Sequence, residues 1–129
     1  MAKNYTLDCS LSMSATSASG YSQSQSGSYT LNITGVDQIA TGRIDVAHDG
    51  DSTVMAAPGH GRFIYVKNLD DTNFVKIYDG ASGDNDYIGI LKPGEFLMTI
   101  IRGTGTTVAR ADTATVTIEY AAIEIDSNA

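Results

Sequence analysis

The sequence has no tryptophan, two prolines and one cysteine, Cys9, in 129 residues. A lone cysteine cannot close an intrachain disulfide, which excludes a disulfide-framed secreted module and points to synthesis in a reducing cytosol. Basic residues are also scarce: 8 Lys and Arg stand against 15 Asp and Glu, giving a net charge of -7 and a pI near 4.4. They are scattered (Lys3, Arg43, Arg62, Lys67, Lys76, Lys92, Arg102, Arg110) with no basic block, so the average surface repels phosphate backbones and anionic lipid. Direct nucleic-acid binding is not expected. No apolar run approaches bilayer-spanning length, and the opening Met-Ala-Lys-Asn-Tyr-Thr lacks the apolar region of a signal peptide. No membrane association is expected, and any export would follow another route, such as release of an assembled particle. A sustained helical period, heptads and internal repeats are missing too.

What the chain does have is alternation. With 42% hydrophobic and 18% charged residues it can bury a core, and its length suits a single domain over 1–129. Seven Tyr and three Phe suggest aromatic side chains in that core. Tyr5, Leu7, Cys9, Leu11, Met13 and Ala15 alternate with polar residues, which predicts a half-buried strand from Asn4 to Ala15. Cys9 falls on its apolar side as a small hydrophobe. The polar, low-complexity stretch from Thr16 to Ser28 reads as a long flexible loop, either a connector or an arm that orders against a partner. Further strands are expected at Ser28–Thr34, Arg43–Ala47 and Thr53–Ala57.

Most large apolar side chains lie between Gly61 and Ile101. Arg62–Asn68 is apolar on both faces and reads as a central strand; Phe74–Asp79 is expected to pair back on it as a hairpin across Leu69–Asn73. Tyr87–Leu91 is a short strand. Lys92-Pro93-Gly94-Glu95 matches a type II turn with Gly94 supplying the positive φ, leading into Phe96–Ile101, which is again apolar on both faces. Strands at Thr106–Ala111 and Thr115–Ile125 close the chain. In the last, Val116, Ile118 and Tyr120 are even-numbered while Ile123 and Ile125 are odd, which predicts a β-bulge near Ala121. The fold class expected is all-β: a two-sheet antiparallel β-sandwich, jelly-roll-like, with immunoglobulin-like or small-barrel arrangements as alternatives.

Candidate chemistry is sparse. His48 and His60 sit beside Gly in turn-like sequence and read as solvated loop residues. His48-Asp49-Gly50-Asp51, Asp70-Asp71-Thr72-Asn73 and Asp84-Asn85-Asp86 each offer oxygen ligands, but none has EF-hand spacing, and turn roles are the better account. Glu95, Glu119 and Glu124 fall at a turn or at outward strand positions, which argues against a carboxylate pair in a cleft. Gly103-Thr104-Gly105 lacks the Lys and the helix of a phosphate-binding loop, and no Ser occupies a nucleophile elbow. No enzyme, catalytic residue, cofactor or metal site is expected.

The runs Arg62-Phe-Ile-Tyr-Val-Lys-Asn-Leu-Asp, Asn73-Phe-Val-Lys-Ile-Tyr-Asp-Gly, Ile90-Leu-Lys-Pro-Gly-Glu-Phe, Ala109-Arg-Ala-Asp-Thr-Ala and Val116-Thr-Ile-Glu-Tyr together resemble small virion structural proteins of tailed bacteriophages, including capsid decoration (cement) proteins. The resemblance covers about half of the chain and implies a β-sandwich made in the host cytoplasm, carried on the virion in many copies, often as homotrimers. Its implied partner is the major capsid protein, which it would bind and stabilise without a cofactor. A decoration protein contacts several subunits at once through edge strands or arms, and the N-terminal strand with the segment after it is the candidate arm. Alternatives within reach of the same sequence are a tail, connector or fibre component, a carbohydrate-binding sandwich using Tyr21, Tyr78 or Tyr87 as stacking platforms, and a small hydrolase using loop Asp residues.

Overall fold

The computed structural model describes residues 5–20, 22–33, 39–56, 61–80, 87–102 and 105–125. The chain divides into two compact units, residues 1–36 and 37–128.

The first unit is a long antiparallel hairpin of β1 (Tyr5–Thr16) and β2 (Ser22–Ile33), with unbroken register from Tyr5↔Ile33 to Thr16↔Ser22. Twelve residues per strand give a ribbon about 40 Å long at ~3.4 Å per residue. The turn closes with Gly20 N–H donating to Ser17 O at 3.0 Å, and Gly20 sits at φ 88, where a side chain is disfavoured. The flexible loop expected over residues 16–28 is therefore corrected: from Ser22 onward this stretch is strand. Its polarity signals only that it builds no core of its own. Pairing with β1 satisfies its backbone groups, and small hydroxyl side chains sit easily on a wet sheet face.

The second unit holds eight strands among its described residues: β3 (Ile39–Val46), β4 (Ser52–Met55), β5 (Gly61–Asn68), β6 (Val75–Asp79), β7 (Tyr87–Leu91), β8 (Phe96–Arg102), β9 (Thr107–Ala111) and β10 (Val116–Ile125). They form two four-stranded sheets, β3-β10-β5-β8 and β4-β9-β6-β7, with every pairing antiparallel. The pairs β3/β10, β4/β9, β5/β8 and β6/β7 are nested, as in one long hairpin rolled up from its β6–β7 tip. This is the jelly-roll sandwich. β5 is central, as its two apolar faces predicted. The expected hairpin between Arg62–Asn68 and Phe74–Asp79 does not form: β5 and β6 lie in different sheets, and the segment between them crosses the sandwich. Local turn residues look alike whether a chain reverses within a sheet or passes to the other one.

The core cluster is aliphatic rather than aromatic. Val46, Ile64, Val66, Val116, Ile118 and Ala122 of one sheet meet Val54, Met55, Val75, Ile77, Leu91, Ala109 and Ala111 of the other. Phe63 and Tyr78 are buried but lie outside it, and Tyr120 packs against its margin. The bulge expected near Ala121 is also corrected, since β10 keeps continuous register with β3 and β5 through that point. Ile123 instead faces away from Ile118 and is buried beside Phe63, its direct partner on β5. Register shifts occur between Thr53 and Met55 and between Ile77 and Tyr78.

Candidate functional site

The hairpin is the most unusual surface among the described residues. Cross-strand pairing places Ser10 opposite Ser28, Ser12 opposite Ser26, Ser14 opposite Ser24 and Thr16 opposite Ser22, so one face is a ladder of hydroxyls. On that face Thr30 donates its hydroxyl hydrogen bond to Asp8 Oδ1 at 2.8 Å. The opposite face carries the pairs Cys9–Tyr29, Leu11–Gly27, Met13–Gln25 and Ala15–Gln23. Here Leu11 is 39% and Met13 55% exposed, and no Cβ neighbour would crowd position 27. Burying two such side chains is worth roughly 1.5–3 kcal/mol each, and a two-stranded ribbon alone is marginal in water. Cys9 lies half-buried on the apolar face, and burial together with the neighbouring Asp8 carboxylate raises its thiol pKa.

The loop from Asp70 to Asn73 serves the fold. The Asp70 carboxylate accepts from the backbone N–H of Thr72 at 2.9 Å and of Asn73 at 2.6 Å, and those bonds hold its pKa below the ordinary carboxylate range. Buried Asn68 fixes the same loop: its Nδ2 donates to Asn73 O and to Leu91 O, both at 2.9 Å, while its Oδ1 accepts from Asp70 N at 2.8 Å. His48 lies exposed at the rim of a shallow cleft of about 240 Å³ that also touches Phe74, Lys76, Tyr78, Arg110 and Asp112. His60, Tyr21, Asp84-Asn85-Asp86 and Gly103-Thr104 lie outside the described residues. Among the described residues no three His, Cys, Asp or Glu side chains gather with metal-binding geometry, and no helix is long and apolar enough to cross a membrane.

Of the carboxylates weighed as acids or bases, Glu95 is exposed in its turn, with Oε2 accepting from Lys92 N at 2.8 Å. Glu119 accepts from Tyr65 Oη at 3.2 Å and lies 3.9 Å from Arg43 on the outer face. Burial and this carboxylate raise the Tyr65 phenol pKa. Glu124 departs from its expected outward position: it stands directly opposite Arg62 and shares the inward face with Ala122. Arg62 itself, read from sequence as one of several scattered surface cations, is fully buried. It ion-pairs with Asp79, and its Nε donates to Thr107 Oγ1. The available signal was its place at the head of a strand apolar on both faces.

Of the tyrosines considered as stacking platforms, Tyr78 is buried and Tyr87 is 46% exposed. The two rings meet edge to face with centroids 6.2 Å apart, and Lys76 Nζ lies 5.3 Å from the Tyr87 centroid. Compared with known proteins, the chain matches no family model, no curated protein and no solved structure.

Proposed function

We propose that the protein is a structural component of a tailed-bacteriophage virion, of the capsid decoration type, that works by docking and not by catalysis. The observation that carries this reading is the β1–β2 hairpin, a long two-faced ribbon on which Leu11 and Met13 are exposed. Such a ribbon gains its stability by lying on another protein, and repeated over many copies on a shell even a modest contact becomes strong through multivalency. The hydroxyl face would stay hydrated while Leu11 and Met13 are covered. The jelly roll supplies a stable body, and the acidic balance disfavours binding to packaged nucleic acid. In this reading the partner is the major capsid protein, the location is the virion, and the copies associate with one another.

The test is co-sedimentation of the full chain with shells assembled from the parent phage's major capsid protein. The wild type is expected to bind and to raise the shell's melting temperature, and Leu11→Glu with Met13→Glu to abolish both effects. Unchanged binding by that double variant overturns the hairpin's role, and no binding by the wild type overturns the decoration reading. A glycan-binding alternative draws on exposed Tyr87 beside Lys76. Glycan-array binding lost in Tyr87→Ala would favour it.

A further inference from the structure

The two flanks of the sandwich are built differently. One is formed by β3 and β4, the other by β7 and β8, which end the two sheets on that side. The first flank is guarded as edge strands commonly are. β3 carries Arg43 and Asp45 and holds Gly42 at φ 145; β4 has four residues and an irregular register. The second is not. Across the five residues of β7 and the seven of β8 the one charged side chain is Arg102, in a chain that is 18% charged. Tyr87, Ile88 and Ile90 on β7 are 46%, 40% and 40% exposed, and Phe96 and Ile100 on β8 are 52% and 38% exposed. β8 is apolar on both faces, the composition of an interior strand, yet it pairs only with β5 among the described strands. A hydrophobic edge with a single charge at its end is a template for pairing with another chain.

We propose that β8 is where two copies of this chain meet, pairing antiparallel with its twofold mate about Thr99. Self-complementarity favours a second copy over a foreign strand. With Thr99 on the axis, Met98 faces Ile100 of the mate and Leu97 faces Ile101, so apolar meets apolar at both steps, while Phe96 faces Arg102 at the ends. A twofold, isologous contact of this kind joins two four-stranded sheets into one of eight. The proposal is independent of the particle reading, because it concerns the isolated protein in solution.

The test uses the full chain. Sedimentation velocity or light scattering at micromolar concentration is expected to give a dimer. Ile100→Glu places like charges close across the axis and is expected to give a monomer with an unchanged β-type circular dichroism spectrum. In a Cys9→Ser background, Thr99→Cys is expected to oxidise to a disulfide-linked dimer, since facing Cα atoms in an antiparallel pair lie within disulfide reach, whereas Thr41→Cys on the guarded flank stays monomeric on denaturing gels. The crosslink keeps the test decisive should Ile100→Glu fail to fold. A monomeric wild type, the homotrimer implied by the sequence resemblance, or a dimer without the Thr99→Cys crosslink overturns the proposal. Leu11→Glu in the hairpin is expected to leave the dimer intact; its loss in that variant would move the interface to the hairpin and overturn it as well.

Discussion

Arg62 and Asp79 form an ion pair that ties the two sheets of the sandwich together, the guanidinium fully buried on β5 and the carboxylate 31% exposed on β6. Thr107, which accepts from Arg62 Nε, is the register partner of Asp79 on β9, and Glu124 stands opposite Arg62 on β10. Four strands from both sheets thus converge on one cation. Gly105 belongs to the same arrangement: a Cβ there would lie 2.7 Å from Asp79 Oδ1, so glycine leaves room for the carboxylate. Since a buried charge is tolerated only when paired, the tie also selects the way the sheets face each other.

Asp79→Asn removes the carboxylate charge and leaves the guanidinium buried, so it is expected to cost about 2–4 kcal/mol, toward the low end because Asp79 is partly solvated. Arg62→Met removes the buried charge itself and leaves the partly solvated Asp79 carboxylate to water, so it is expected to cost less, which reverses the order that side-chain size alone would give. Urea unfolding of the two variants followed by circular dichroism compares them directly.

Asn68 joins three segments through one buried amide, holding the carbonyls of Asn73 and Leu91 and the N–H of Asp70. Asn68→Ala leaves those groups without their partner and is expected to destabilise by about 2–4 kcal/mol. Asn68→Asp should be worse, because a carboxylate offers no donor to the two carbonyls. Thermal melts of both variants test the ranking.

The Asp70 carboxylate has a lowered pKa because backbone N–H groups of Asn73 and Thr72 bind its charged form. A group whose pKa is lower folded than unfolded contributes stability that is full above the unfolded value, near ~3.9, and fades as pH falls through the folded one. The wild type should therefore lose stability in that acid window more steeply than Asp70→Asn, with the two curves converging at the acid end. Urea titrations at a series of pH values between neutrality and the acid limit read the difference.

The parts of the fold legible in the sequence are those set by neighbouring residues. The strand β1, the two apolar faces of β5 and the Pro93-Gly94 turn are local signals that appear where the residues placed them, but the burial expected of one face of β1 does not, since Leu11 and Met13 are exposed. The order of strands in the sheets is decided by contacts between distant segments, so the crossing from β5 to β6 reads like a hairpin until the partners of both are known. β2 was hidden for a different reason: Ser and Gln carry little β signal, and its order comes from β1 across the ribbon. Burial of Arg62 was hidden because a cation opening a strand usually lies at the surface. The exposed flank was half legible, since Phe96–Ile101 shows its two apolar faces in the sequence, while its place at a sheet edge comes only from the topology.

Gly94 holds the turn between β7 and β8 at φ 80, with Glu95 N–H donating to Lys92 O at 3.0 Å as the type II geometry requires. The turn is anchored on β5 as well: Gly94 N–H donates to Asn68 O at 3.1 Å, and Asn68 N–H to Glu95 O at 2.9 Å. Nothing lies within 4 Å of a Cβ at position 94, so any penalty for a side chain there comes from the backbone and not from crowding. Gly94→Ala is accordingly expected to destabilise by about 1–2 kcal/mol, the cost of holding an L-residue in the left-handed region. Gly94→Asn, which tolerates that region better, should recover part of the loss. If both variants melt like the wild type, the turn is free to change type, and its grip on β5 through Asn68 cannot be what sets the course of the chain from β7 into β8.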